Sequence, residues 1–486
     1  DASSSTTSRP RRYFGFHYIL LRCTGLGWWH HPDENDIRNF PGWYLYYSIA
    51  TQVIWVAGFV GLETIDPFVG AKELDSFMFS LSFVITHNLT IIKLYLFFFR
   101  NMEIQDIVRT IEVDLREYYQ NEDTNRKTIK ICKTFTFAFI FFGWLTIGNS
   151  NTYGAIQDIH WKSLVRRSND SSQTSPRSLA QPIYIPWDYQ KDVSYIPTFI
   201  LELVGLLWTG HIVMGIDTFI GSVILHMSSQ FAILKEAIET AYDRTMIKLR
   251  EGTVYDADEN LPSDGTGISL MNSEENNEQE RIVRAFYTEK QIESALQTTL
   301  VNCIRQHQVL VGCVEKFATT YSYGFMTQLL SSMAAICVVM VQVSQDASSF
   351  KSFRLITSLA FFAAMITQLA IQCFTGNELT LQASRISDAV MQCKWEMLTP
   401  RLRSLMMTMM MKAQRPLRLS AAGFAHMDNA CFLAVRLVDF YCFSHIFEDI
   451  KPLSQPGTSS RCCLLPLETK IQTQIFTYSC PRLHLR

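Results

Sequence analysis

The chain has 486 residues, of which 48% are hydrophobic and 13% aromatic, but only 18% are charged, against roughly 25% in a typical soluble protein. Its 43 basic and 45 acidic residues leave a formal charge of −2. This balance excludes wholesale disorder, which needs low hydrophobicity and a large net charge. It also argues against nucleic acid as a partner, which draws a basic surplus.

The apolar content is gathered into windows free of Asp, Glu, Lys and Arg. A helix crosses a hydrocarbon core about 30 Å thick with about 20 apolar residues. Asn39 to Leu62 is the first such window. Ser76 to Ile92 is the second, and Leu94 to Phe99 resumes it after Lys93. Thr134 to Gln157 is the third. Tyr195 to Phe231 is the fourth, broken by Glu202 and Asp217. Phe317 to Gln345 and Leu355 to Asn377 are the fifth and sixth. Ala421 to Phe447 would be a seventh, interrupted by Asp428, Arg436 and Asp439. The fold expected is an all-α integral membrane protein with membrane lipid around it.

Orientation follows from charge, because Lys and Arg of short loops stay in the cytoplasm. Arg9, Arg11, Arg12, Arg22 and Arg38 precede the first window. The next connection, Glu63 to Asp75, carries four acids and only Lys72. The one after it is flanked by Lys93, Arg100, Arg126, Lys127, Lys130 and Lys133. These place the N-terminus inside. The sequon Asn169-Asp-Ser171 lies in a polar, Ser- and Pro-containing loop. Glycosylation at Asn169 would require that loop to be extracellular, which agrees.

Apolar residues at helical spacing extend the spans inward. Ile104, Ile107, Val108, Ile111, Leu115 and Tyr118 form one stripe. Phe231, Leu234, Ile238 and Tyr242 form another, and Ile292, Leu296, Leu300 and Cys303 a third. The polar acidic stretch 251–280 reads as a disordered insert. Packing of the stripes on one another is the simplest account of them.

No zinc-protease, serine-hydrolase or P-loop motif occurs, so neither an enzyme nor a cofactor is expected. No metal site is expected either: His30-His31 beside Trp28-Trp29 reads as an interfacial anchor. Polar groups within the spans are better leads. Lys93 reads as snorkelling to the surface. His87 and Asn88 read as hydrogen-bonding groups of the bundle. Glu202 either lines a wet cavity or precedes the true start of its helix. Gly205, Gly210 and Gly215 read as close-packing positions.

The C-terminal third carries more specific patterns. Cys373-Phe374-Thr375-Gly376-Asn377-Glu378 ends the sixth window, followed by Ser384, Ala389 and Trp395. Lys412 to Phe424, through Gln414, Pro416, Leu419, Ala421 and Gly423, leads into the last one. With Leu21-Arg-Cys-Thr-Gly25-Leu-Gly-Trp28 and Gln306-His307-Gln308, these residues resemble the insect odorant receptor family over about residues 15–447. The last helix of the family's co-receptor is not matched.

That resemblance implies seven transmembrane helices in inverted topology, with the N-terminus cytoplasmic and the C-terminus extracellular. The expected organisation is a cytoplasmic segment 1–42, helices one to four over 43–226 with an extracellular loop 153–193, and cytoplasmic extensions over 227–316. Helices five and six then span 317–377, an anchor segment 378–420, the seventh helix 421–447 and an atypical tail 448–486. It further implies an olfactory subunit in the plasma membrane of the neuronal dendrite. There it would form a heterotetrameric, ligand-gated, non-selective cation channel with a shared co-receptor. A volatile apolar ligand would bind between spans two, three, four and six. Carried onto helix faces, this suggests Phe77, Leu81 and Val84; Leu145, Gly148 and Thr152; Leu201 and Gly205; and Phe361, Phe362 and Met365. The last helix would line the pore with Leu437, Tyr441 and Ser444. Its sequence Asp439-Phe-Tyr441-Cys442 departs from the family, which places Ser after the tyrosine. The alternatives are a G-protein-coupled receptor, which needs an external N-terminus, and a transporter, although no internal repeat is visible.

Overall fold

The computed structural model describes residues 13–27, 42–69, 74–168, 177, 179–250, 283, 284, 286–348 and 352–450. Almost all of them are helical. Helix α1 is Gly15–Cys23. Helix α2, Gly42–Val69, contains a π-helical segment at Gln52–Gly58. Then follow α3 (Leu74–Phe99), α4 (Asn101–Glu112) and α5 (Glu122–Ser168). Next come α6 (Asp192–Glu239), α7 (Ala241–Arg250), α8 (Glu289–Ser348) and α9 (Ser352–Met391). Helix α10 is Pro400–Ala413 and α11 is Asn429–Ile450. The insert 251–280, Asn169 and the tail from Lys451 lie outside the described residues.

Among the described residues, six helices are long and apolar enough to cross a membrane: α2, α3, α5, α6, α8 and α9. They carry the described parts of the six charge-poor windows, because hydrocarbon excludes unpaired charge and a helix satisfies its own backbone. Three of them run far beyond a bilayer. Helix α5 has 47 residues, α6 has 48 and α8 has 60, or about 70 to 90 Å at 1.5 Å per residue.

The overhanging parts carry the amphipathic stripes, and these bury against one another within the chain. Ile104, Ile107, Val108, Ile111 and Leu115 share one cluster with Phe231, Leu234, Ile238, Ile292, Leu296 and Leu300. Self-packing therefore accounts for the stripes without a second protein.

Two sequence readings change. Glu63 and Asp66 were expected in a loop, yet both are buried in the last turns of α2. Each has a polar partner on α3: His87 Nδ1 lies 2.6 Å from Glu63 Oε2, and Ser80 Oγ donates to Asp66 Oδ2 at 3.1 Å. The helix continues because paired carboxylates can be buried. Likewise α5 continues through Ser168, so residues 153–168 of the expected loop 153–193 are helical.

The lead-in to the last helix is built from local signals. Thr399 caps α10, its side chain accepting from Leu402 N, with Pro400 in the first turn. A two-residue hairpin pairs β1 (Ser420–Ala421) with β2 (Ala425–His426). Its turn puts Ala422 at φ 51° and Gly423 at φ 78°, the left-handed region that glycine tolerates best. Asp428, read above as interrupting the seventh span, instead precedes it, and its Oδ1 accepts from Cys431 N at 2.8 Å.

Candidate functional site

A partly open cavity of about 70 Å³ lies between α3, α5, α6 and α9, walled mainly by apolar and aromatic side chains, as small-molecule sites are. Phe83, Thr86 and His87 line it from α3, and Phe139, Gly143, Thr146 and Ile147 from α5. Leu206, Gly210, Val213 and Met214 come from α6, and Phe361, Ala364 and Met365 from α9. The rings of Phe83 and Phe361 stand 4.8 Å apart at 33°. Gln181 completes the wall from the segment between α5 and α6.

That segment is anchored on three sides. Arg177 is fully buried, hydrogen-bonded to Asp158 of α5 and, at 2.9 Å, to Asp192 of α6. Its guanidinium lies 3.5 Å from the centre of the Tyr195 ring and 5.0 Å from that of Trp161. Burial alone would lower its pKa; the hydrogen bonds to Asp158 and Asp192 outweigh this and raise it. Ser150 Oγ donates to Ala180 O at 3.0 Å, and Gln181 N donates to Glu202 Oε1. A Cβ on Gly154 would stand 2.8 Å from Ala180 Cα, so glycine there lets the segment lie on α5. Glu202 therefore holds a backbone amide over the cavity and does not lie on its wall.

Polar groups on the lining are mostly committed. Thr86 donates to Ser82 O and Phe83 O, and Thr146 to Phe142 O. His87 is held by Glu63. The Gln181 side-chain amide is 96% buried by residue and has no protein partner at either Oε1 or Nε2.

Phe361 and Met365, suggested by the sequence, line this cavity. The others lie elsewhere. Phe77, Leu81 and Val84 are half-buried on other faces of α3, and Leu145, Gly148 and Thr152 are exposed on the outside of α5. Leu201 is half-buried nearer the start of α6; Gly205 packs on the ring of Phe59. Phe362 packs beside Phe361 against the neighbouring cluster of Phe83, Ile336 and Val339. On α11, Leu437 is exposed, while Tyr441 and Ser444 are half-buried, Ser444 Oγ donating to Tyr441 O at 2.8 Å.

Lys93 was expected to snorkel. Instead its Nζ donates to both carboxylate oxygens of Asp217 at 2.6 and 2.7 Å, and Gln368 of α9 donates to Asp217 Oδ2. A smaller space of about 10 Å³ borders this pair, lined by Tyr321, Phe325 and Gln372 among others. Gln181 lies in the polar loop, and Thr146 and Met214 lie in the middle of their apolar windows, so nothing in the sequence singled them out.

Comparison with known proteins agrees with this architecture. The family model described as 7tm Odorant receptor matches residues 73–436. Odorant receptor 83a of Drosophila melanogaster is 21% identical over 52% of this chain and 56% of its own length. Odorant receptor Or1 of Anopheles gambiae is 19% identical over 77% of this chain and 80% of its own. With odorant receptor 33a of Drosophila melanogaster, matched over 44% of its length, the chain spans about half of the first two relatives. The structure of the insect olfactory receptor OR5 from Machilis hrabei superposes with a TM-score of 0.66 at 13% identity, covering 90% of this chain and 98% of that one. The same receptor in complex with eugenol superposes with a TM-score of 0.61. The matched residues take in the spans α3, α5, α6, α8 and α9 and the lead-in to α11, and this multi-pass membrane protein belongs to the 7tm odorant receptor family.

Proposed function

We propose that the chain is an odorant-tuning subunit that binds a small volatile molecule in the cavity between α3, α5, α6 and α9 and gates a non-selective cation channel with a co-receptor. The cavity carries the reading: it is lined by Phe83, Phe139, Phe361, Met214 and Met365, a mainly apolar wall with few polar groups of the kind small-molecule sites share. That the related OR5 has been seen with eugenol supports a volatile ligand here.

Gating needs differential affinity, since a ligand that binds closed and open states equally shifts nothing. The ion path would run between subunits, beside Leu437, Tyr441 and Ser444. Assembly into a heterotetramer with the co-receptor is supported by apolar side chains exposed outside the long spans. Met391 of α9, Leu405, Met407 and Met411 of α10 and Phe424 of the hairpin are all solvent-facing in the single chain, apolar groups that a partner subunit would cover. The Lys and Arg distribution supports a cytoplasmic N-terminus, which would put Asn169 outside as a glycan acceptor. The subunit would reside in the plasma membrane of the olfactory dendrite.

Co-expression with an insect co-receptor and recording of odour-evoked current tests this. Current is expected only with the partner present, and Phe361→Ala is expected to shift the half-maximal concentration of an agonist by about tenfold or more. Current without a partner, or a response carried only by G proteins, sinks the reading. Loss of a glycan mobility shift in Asn169→Gln checks the topology.

A further inference from the structure

The cavity wall is apolar apart from four side chains, and three of those are occupied. Thr86 and Thr146 donate to carbonyls of their own helices. His87 is held by Glu63. Gln181 is the exception: its backbone N–H is anchored on Glu202, while both polar atoms of its side chain are buried without a protein partner. A buried amide left unpaired is costly. Its position is over-determined by the Arg177 clamp, Ser150 and Gly154, so it cannot swing out to water without dislodging the segment that carries it.

We propose that the cavity selects compact apolar molecules bearing one carbonyl or hydroxyl oxygen, and that this oxygen accepts a hydrogen bond from the side-chain amide of Gln181. The inference rests on the cavity being the ligand site, and it adds the chemical class. A hydrocarbon of the same shape fills the same aromatic wall but leaves the amide unpaired. A site with a buried polar group rejects the analogue that cannot satisfy it more strongly than an apolar wall rejects a change of shape. The ring pair Phe83 and Phe361 supplies affinity for any flat apolar body; Gln181 supplies the discrimination.

Acetophenone and ethylbenzene, which differ by a carbonyl in place of a methylene, are the probes. Each is titrated against the purified full-length chain, with apparent affinity read from thermal stabilisation, so that neither the channel nor the co-receptor is required. The wild type is expected to bind acetophenone about tenfold more tightly, and Gln181→Leu to bring the two within about twofold. Gln181→Met gives the same reading should Gln181→Leu be recovered poorly. Phe361→Ala is expected to weaken both probes together. A preference that persists in Gln181→Leu while Phe361→Ala weakens both overturns the proposal and leaves the cavity as the site. Indifference of both probes to both substitutions, or no stabilisation of the wild type, overturns the cavity reading and the proposal with it.

Discussion

Lys93 and Asp217, 124 positions apart in the chain, meet inside the bundle with Nζ 2.6 and 2.7 Å from the two carboxylate oxygens. The Lys93 side chain is 5% exposed and that of Asp217 not at all. Either charge alone would face a large desolvation penalty there; together, with Gln368 on the carboxylate, they join α3, α6 and α9 beneath the cavity.

Breaking that pair is expected to be far worse than removing it. Lys93→Met or Asp217→Asn alone should cost about 3 to 5 kcal/mol, because each strands the other partner. The double variant Lys93→Met with Asp217→Leu should recover most of the loss. Thermal unfolding in detergent, combined as a double-mutant cycle, reads the coupling; additive single effects would contradict the pair.

Gly376 sits where α9 crosses the hairpin before α11. A Cβ at that position would collide with the carbonyl oxygen of Met427. Gly376→Ala is therefore expected to force α9 off the lead-in to the last helix, at a cost of about 1 to 3 kcal/mol. Reduced surface delivery with a lowered unfolding temperature is the expected pattern, and a variant as stable as wild type would show that the hairpin can shift freely.

His17 of α1 gives a pH dependence. Its Nε2 hydrogen-bonds Thr136 Oγ1 and Ser222 Oγ, each at 3.1 Å, and its Nδ1 has no partner. Burial lowers its pKa from 6.5 to about 4. The folded chain therefore holds the neutral ring and the unfolded chain protonates first. Its contribution to stability is complete above pH 6.5 and is lost as pH falls towards 4, amounting to about 3 kcal/mol. His17→Gln should flatten the acid limb of stability against pH relative to wild type. An unchanged acid limb would falsify the assignment to His17, leaving His226, which lies in the same cluster, as the titrating group.

Arg177 fastens the segment over the cavity to both α5 and α6. Arg177→Met keeps bulk against Tyr195 and Trp161 but removes the hydrogen bonds to Asp158 and Asp192, leaving Lys162 as their cationic partner. Loosening of residues 179–190 should appear as faster hydrogen exchange there, with ligand release quickened by about tenfold or more. Exchange unchanged across that stretch would show that Ser150 and Glu202 hold the segment unaided.

The face that each helix turns inward was the least legible property. Helix α5 is apolar on every side through the bilayer, so nothing in its composition separates Leu145 from Thr146. One residue turns the helix by about 100°. Thr146 lines the cavity, and Leu145 faces outward. Phe361 and Met365 stand four apart on α9 and share one face, so a reading anchored on either brings in the other. Glu63 and Asp66 were read as a loop because carboxylates end a charge-free window, and their partners His87 and Ser80 lie on another helix.

The sequence by itself determined that this chain is a helical bundle threaded repeatedly through lipid. Hydrocarbon rejects unpaired charge at every position alike, so the windows free of it mark the spans whatever their neighbours do. Family membership was legible from residue types at fixed places: Gly423 answers a local backbone demand, and Gly376 answers the close approach of Met427 O. Only the tertiary structure decided which polar groups would find partners and which wall would close the cavity. Those depend on helix rotation and on contacts such as Gln181 with Glu202, which join segments that no local rule of sequence brings together.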